Sequence, residues 1–280
     1  MIGLPVDHGE GGVLMNARAQ QACVLSGFVL VVLFYLGFWV ISGFLVPLSP
    51  NSSADAVAQM FARDRNRIRI GLLLTMFGAA MLVPWSAALF VQLRRGEGRF
   101  SPLPYVQMLC GTLFSLEFIY LIMFWQTAAF REDTPPLVVQ TLYDMGWIPF
   151  VGLTSTAVVM ALALGASMLG DRRPVPVYPR WAGYFNVWVA FMFTPGTLCV
   201  FFKEGPFAYN GVLAWYLPVA VFSIWMPLNT VLTLRAIKDH ERESFTGSSG
   251  SDGGRPTLES LASELDQVRR ELARVAPAAT

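Results

Sequence analysis

Glu117 is the residue best placed to do chemistry in this 280-residue chain, because it stands inside a long apolar run. A carboxylate at mid-bilayer depth costs about 2.5–3.5 kcal/mol on insertion scales, so it must turn inward and find a partner. Cys110, Phe114, Leu121 and Phe124 share its helical face and offer little help. Groups at comparable depth elsewhere are Thr154, Ser155 and Thr156, then Thr194, then Ser223. Two readings stand side by side. Glu117 is either an acid that carries protons or gates a substrate, or a neutral acid that pins helix packing through a hydroxyl or carbonyl. A lone acid with no basic or second acidic partner makes a poor transport relay.

Arg63, Arg65, Arg67 and Arg69 alternate with Asp64, Asn66 and Ile68. On a helix Arg63 lies above Arg67 and Arg65 above Arg69, on nearly opposite sides, so one ligand meets all four only if the segment is extended. The bland use is lipid anchoring, with one pair on phosphates and the other meeting Asp144 or Glu204. The sharper use is an anion or headgroup site. Asp144 with Trp147, and Lys203-Glu204-Gly205-Pro206 with Tyr209 and Asn210, form polar clusters expected on the same outer face. They read as helix caps and turns, or as the mouth of a pocket built from Arg63, Arg67, Asp144, Trp147, Lys203 and Glu204. Asn186 and Asn229 face each other as interhelical glue. Pro195-Gly196 and Pro218 loosen the helices that carry them.

Familiar catalytic templates fail one by one. His8 and His240 both lie outside the apolar runs, which excludes a haem held by two intramembrane histidines and a Ser-His protease. Neither His-Glu-x-x-His nor His-x-x-Glu-His occurs, and there is no glycine-rich phosphate loop or intramembrane aspartate pair. Cys23, Cys110 and Cys199 sit singly in different runs, as small apolar fillers do. The expectation is therefore no catalytic residue, no cofactor, no metal and no nucleic acid; an enzyme survives only through unfamiliar chemistry at the outer face.

The elements that position these residues follow from composition. The chain is 54% hydrophobic and 14% charged, against about 25% charged in soluble domains. Its apolar residues come in runs of about twenty or more, the length needed to cross a bilayer. The expected fold is all-α, a polytopic transmembrane bundle of six spans. They run from about Leu25 to Val46, Ile70 to Leu93, Pro104 to Ala129, Met145 to Leu169, Trp181 to Phe202 and Gly211 to Leu234. The last two are joined by so short a turn that they must form a hairpin at a membrane surface. Ser52 or Ser53 caps a helix over Ala54 to Asn66, whose Val57, Phe61 and Ile68 suit a piece lying flat on the membrane. Pro84 kinks the second span, and a neighbouring helix satisfies the freed carbonyl. Gly152, Ala157, Ala161, Ala163, Gly165 and Ser167 mark the fourth span as interior. Trp39, Trp125, Trp147, Trp181 and Trp215 sit near span ends, as interfacial aromatics do.

Six spans put both termini on one side. That side holds Arg18, Arg94, Arg95, Arg99, Arg172, Arg173, Arg180, Arg235, Lys238 and Arg242, ten cations against the six of Arg63, Arg65, Arg67, Arg69, Arg131 and Lys203. The positive-inside rule then gives a multi-pass protein of the cell's inner (plasma) membrane with both termini cytoplasmic. Residues 1–24 read as a loose cytoplasmic arm, 25–237 as the membrane domain and 238–256 as a flexible linker rich in Ser and Gly. Residues 257–276 read as a cytoplasmic amphipathic helix. There Leu258, Leu261, Leu265, Val268 and Leu272 recur at heptad steps, enough for a homo-oligomeric coiled coil or for docking on a protein partner.

The run Tyr178-Pro-Arg-Trp-Ala-Gly-Tyr-Phe-Asn-Val-Trp-Val-Ala-Phe, followed by Phe201-Phe-Lys-Glu-Gly-Pro-Phe-Ala-Tyr-Asn-Gly, resembles a group of six-span actinobacterial membrane proteins. The Arg-Ile-Arg-Ile-Gly stretch of Arg67 to Gly71 matches that group too, and Asp144-Met145-Gly146-Trp147 departs mildly from its Asp-Leu-Gly-Trp. The resemblance implies a fold and a lineage, extends to Ile237, and brings no activity. The functional expectation is a binding or transport component for an apolar or amphipathic small molecule, opening near Asp144, Glu204 and the arginines with Glu117 at its base. A scaffold that recruits or oligomerises partners through the C-terminal helix is the competing expectation, and a membrane enzyme the third.

Overall fold

The computed structural model describes residues 10–97 and 101–251, with side chains for 17–97 and 101–243. It is all-α. Eight helices follow in order: α1 (Glu10–Tyr35), α2 (Ala54–Ala80), α3 (Leu82–Glu97), α4 (Leu103–Ala128), α5 (Pro136–Gly152), α6 (Ser155–Gly170), α7 (Arg180–Phe193) and α8 (Leu217–Ser251). Among the described residues they assemble into six stretches long and apolar enough to span a membrane: Ala17–Ile41, Ala54–Glu97, Leu103–Ala128, Pro136–Gly170, Arg180–Phe201 and Val212–Glu243. This is the six-span helical bundle that the apolar runs predict. Met1–Lys238 forms one compact unit; Asp239 onward belongs to a second, described only as helix to Ser251.

The expected boundaries shift at several places. Helix α1 begins at Glu10, inside the stretch expected as a loose arm, and α8 continues to Ser251, inside the stretch expected as a linker. The second span starts early because the Ser53 hydroxyl accepts from the Ala56 N–H at 3.3 Å and launches α2 at Ala54. Asp64 leaves helical geometry (φ −109°, ψ 16°), yet the chain runs on into the membrane. Val57, Phe61 and Ile68 do form one apolar face, but it is buried against protein. Phe61 meets the rings of Phe44 and Tyr143 at centroid distances of 6.3 and 6.0 Å.

Pro84 has the expected effect on its helix. It lacks an N–H to give Ala80 and its ring opposes that carbonyl, so the helix breaks at Met81 between α2 and α3. The carbonyls of Ala79 and Met81, on either side of the break, accept from Ser115 of α4 at 2.9 Å and Ser26 of α1 at 2.8 Å. The first two spans touch through glycine: a Cβ on Gly71 would collide with the Gly37 carbonyl and the Ser42 hydroxyl, and one on Gly37 with the Gly71 carbonyl.

Two ends of the bundle are tied separately. At the end carrying the arginines, Asn51 Nδ2 donates to Glu204 Oε1 at 2.6 Å, Gln140 Nε2 to the Ser52 carbonyl at 2.9 Å, and Arg65 pairs with Glu132 at 2.8 Å. At the opposite end Gln92 Nε2 donates to Gln20 Oε1 at 2.7 Å and Arg95 to the Ala236 carbonyl at 3.2 Å. Toward that end a buried polar knot joins the last two spans. Trp225 Nε1 donates to Asn186 Oδ1 at 2.6 Å, Asn186 Nδ2 to Asn229 Oδ1 at 3.2 Å, and Trp85 Nε1 to Thr230 at 2.9 Å. The Asn186–Asn229 pairing is the interhelical bond expected from the sequence.

Candidate functional site

Besides the second span, four spans lose α-helical geometry, and these four losses meet in one place. The first span is π-helical over Leu36–Ile41, where Ser42 N donates to the Gly37 carbonyl at 2.9 Å, five residues back. The fourth breaks at Leu153 and Thr154, between α5 and α6. The fifth tightens to a 3₁₀ helix over Thr194–Phe201, where Pro195 withholds a donor in its first turn. The sixth opens with a π segment, Val212–Tyr216, before Pro218 restarts α8. Gly196 brings three of these together, since a Cβ there would lie 2.6 Å from the Val151 carbonyl and 3.5 Å from that of Ala214.

Between the breaks is a chamber with room of about 90 Å³. Its walls are Phe34, Tyr35 and Trp39 from the first span, Phe114 and Phe118 from α4, Phe150, Val151, Leu153, Thr154 and Ala157 around the fourth-span break, and Phe193, Ala214, Trp215 and Phe222. Behind them Phe38 is the hub, with ring centroids 5.2–6.2 Å from Phe34, Phe44, Trp125, Trp147, Phe150 and Trp215. Trp125 and Trp147 are 0% exposed. They and Trp215 belong to this internal aromatic core, which corrects the expectation that they are interfacial anchors. Gly146 makes room for it: a Cβ there would strike the Trp125 indole, whose Nε1 donates to the Tyr143 carbonyl at 3.2 Å.

Polar groups on the chamber wall are few. Tyr35 bonds Ser223 at 2.5 Å, and Ser223 donates on to the Val219 carbonyl at 2.7 Å. Thr154 bonds Thr197 at 2.6 Å, joining the fourth- and fifth-span breaks. Trp39 stacks on Tyr35 at 4.0 Å and 6°, and among the described residues its buried Nε1 has no hydrogen-bond partner. That leaves an enclosure that is mostly aromatic.

Glu117 adjoins the chamber without lining it, while its neighbours Phe114 and Phe118 do line it. The acid is partly exposed where α4 packs on α6, and the Thr156 hydroxyl lies 2.9 and 2.8 Å from its two oxygens. Thr156 is one of the hydroxyls expected at that depth.

The expected outer-face pocket divides in two. Asp144 and Trp147 gather around Tyr209, which donates to Asp144 at 3.5 Å and stacks on Trp147 at 6.0 Å and 14°, while Lys203 acts on Asp144 through its charge. Burial, Tyr143 and the Asp144 charge hold the Tyr209 phenol well above its usual range, so it stays a donor. Glu204 turns away to Asn51. Arg63 and Arg67 belong to a separate cleft, where both pair with Asp64 at 2.7 and 3.7 Å. Because the helix is interrupted at Asp64, all four arginines line that cleft, which regular helical spacing alone does not allow.

Sequence reasoning passed over Tyr35 and Thr197 and read Trp39 only as an interfacial aromatic. The available signal was the aromatic run Phe34, Tyr35, Phe38 and Trp39, too dense on one helix to face only lipid. Leu258, Leu261, Leu265, Val268 and Leu272 lie outside the described residues. Among the described residues no three His, Cys, Asp or Glu side chains converge to hold a metal ion, and Cys23, Cys110 and Cys199 are free. No family model matches the chain, and neither a curated protein nor a solved structure matches it.

Proposed function

We propose that this membrane protein is a binding or transport component for an apolar or amphipathic small molecule, received in the aromatic chamber. The observation that carries the reading is the convergence of the four helix interruptions on one cavity. Interrupted helices cluster where transporters hold substrate, and π segments where proteins bind ligands. The chamber suits a flat, largely apolar body. Its room of about 90 Å³ is smaller than the ~150 Å³ that holds benzene in an engineered cavity, so a larger occupant requires the breaks to shift. Glu117, next to the chamber, gates that movement through Thr156. The likeness to an actinobacterial six-span group, with both termini cytoplasmic, fits this reading and adds no substrate.

The test is quenching of tryptophan fluorescence by bromobenzene in nanodiscs, comparing wild type with Ala157→Leu, which fills the chamber. Saturable quenching in wild type and its loss in the variant support the reading. Quenching that rises linearly and equally in both reflects partition into lipid and removes it.

A further inference from the structure

The arginine cleft continues into a second depression of opposite character. The cleft, about 460 Å³, is lined by Arg63, Arg65, Arg67 and Arg69 against two carboxylates, Asp64 and Glu132. Below it a groove of about 590 Å³ is lined by Ile70, Leu73 and Met76 of α2 and by Met123 and Thr127 of α4. Asn66, Arg69 and Phe130 border both. Both carboxylates are already engaged locally, because Arg65 pairs with Glu132 and Asp64 lies between Arg63 and Arg67. Arg69 makes no ion pair among the described residues, and its carbonyl accepts from Gln126 Nε2 at 2.9 Å, which fixes α2 against α4 where the cleft meets the groove. From Arg69 to Met76 the helix rises about 10 Å into the span, and Leu73 on that path is 53% exposed.

We infer that this composite surface is a binding site for an anionic phospholipid, its phosphate on Arg63, Arg67 and Arg69 and one acyl chain in the groove from Ile70 to Met76 and Met123. An excess of guanidinium over carboxylate recognises a phosphate by charge-assisted, forked hydrogen bonds. The groove begins at Arg69 and Phe130, where the cleft ends, so head and tail contacts are made by one molecule. Neither half depends on the aromatic chamber, so this site and the proposed function stand or fall separately.

The test is native mass spectrometry of the full chain in mild detergent with equal amounts of phosphatidylglycerol and phosphatidylcholine. Wild type should retain one phosphatidylglycerol in about tenfold preference. Arg67→Gln with Arg69→Gln should abolish that preference, and Leu73→Trp, at a lipid-exposed position that leaves every charge in place, should weaken retention about as much. Arg172→Gln, at the other end of the bundle, should leave it unchanged, and each variant must first elute as a single folded species. Equal retention of the two lipids by wild type overturns the proposal. So does a wild-type response to Leu73→Trp, which would mean a headgroup-only anion site, and so does full displacement by glycerol 3-phosphate at equal concentration.

Discussion

The Thr156 hydroxyl reaches both carboxyl oxygens of Glu117, at 2.9 and 2.8 Å, across the contact between α4 and α6. One hydroxyl proton serves one oxygen at a time, so the acid is held but not saturated. We expect a double-mutant cycle of Thr156→Val and Glu117→Leu, read by unfolding in mixed micelles, to give a coupling of about 0.6–1.7 kcal/mol, the range of interhelical bonds in membranes. Zero coupling would show that Thr156 does not hold the acid. If Glu117 gates the chamber, Glu117→Gln should also change uptake or probe binding with little loss of stability.

Phe38 is completely buried and meets six aromatic rings, whereas Val40, two residues on, is 66% exposed. Phe38→Ala should therefore destabilise the bundle by about 3–5 kcal/mol. Val40→Ala should stay within about 0.5 kcal/mol. Thermal unfolding in detergent compares them directly; similar losses would mean that the aromatic core is not what holds the first span.

Gly71 and Gly37 approach too closely for a methyl group on either. Gly71→Ala should cost about 1–3 kcal/mol by forcing the first two spans apart. Gly43, with φ +74° and open space around it, provides the contrast: Gly43→Ala should cost only the backbone strain of about 1–2 kcal/mol and leave the interhelical distance unchanged. Spin-label distances between α1 and α2 separate the two cases.

Asp171, just beyond the fourth span, gives a pH signature. Burial alone raises its carboxyl, but the Arg173 guanidinium and the backbone N–H groups of Val177 and Arg173 bond the charged form and hold it below the usual carboxylate range. A depressed folded-state value means that this stabilisation is complete above the unfolded value of about 3.9 and is lost as pH falls through the folded one. The melting temperature of wild type should drop relative to Asp171→Asn as pH is lowered from about 5 toward 2. Parallel curves would show that the carboxylate contributes nothing.

The spans, the hairpin, the Ser53 cap and the Pro84 break were legible because each rests on local chemistry: apolar length, a hydroxyl before a helix, a missing N–H. The chamber was not. The π segments at Leu36–Ile41 and Val212–Tyr216 carry no proline or glycine pair unique to them, and what holds them is the ring packing around Phe38 from distant spans. Trp125 and Trp147 looked interfacial because position along a span says nothing about the direction faced. The faces did carry a clue, since Trp125 follows Phe114, Phe118 and Leu121 at helical spacing. Thr156 stood among the hydroxyls at the right depth, but only the register between α4 and α6 selects it. The arginines divided from Asp144 because one residue, Asp64, leaves the helix, a departure without any local sequence mark.

The 3₁₀ stretch Thr194–Phe201 has eight residues, each rising about 2.0 Å where an α-helix rises about 1.5 Å. The fifth span thus reaches about 4 Å farther than its residue count allows in α form. Rewinding those residues would retract the turn that carries Lys203 and Tyr209 by the same distance, with little change in the number of backbone bonds. A length change there would pull on the chamber wall, because Thr197, midway along the stretch, is tied to Thr154 through its hydroxyl.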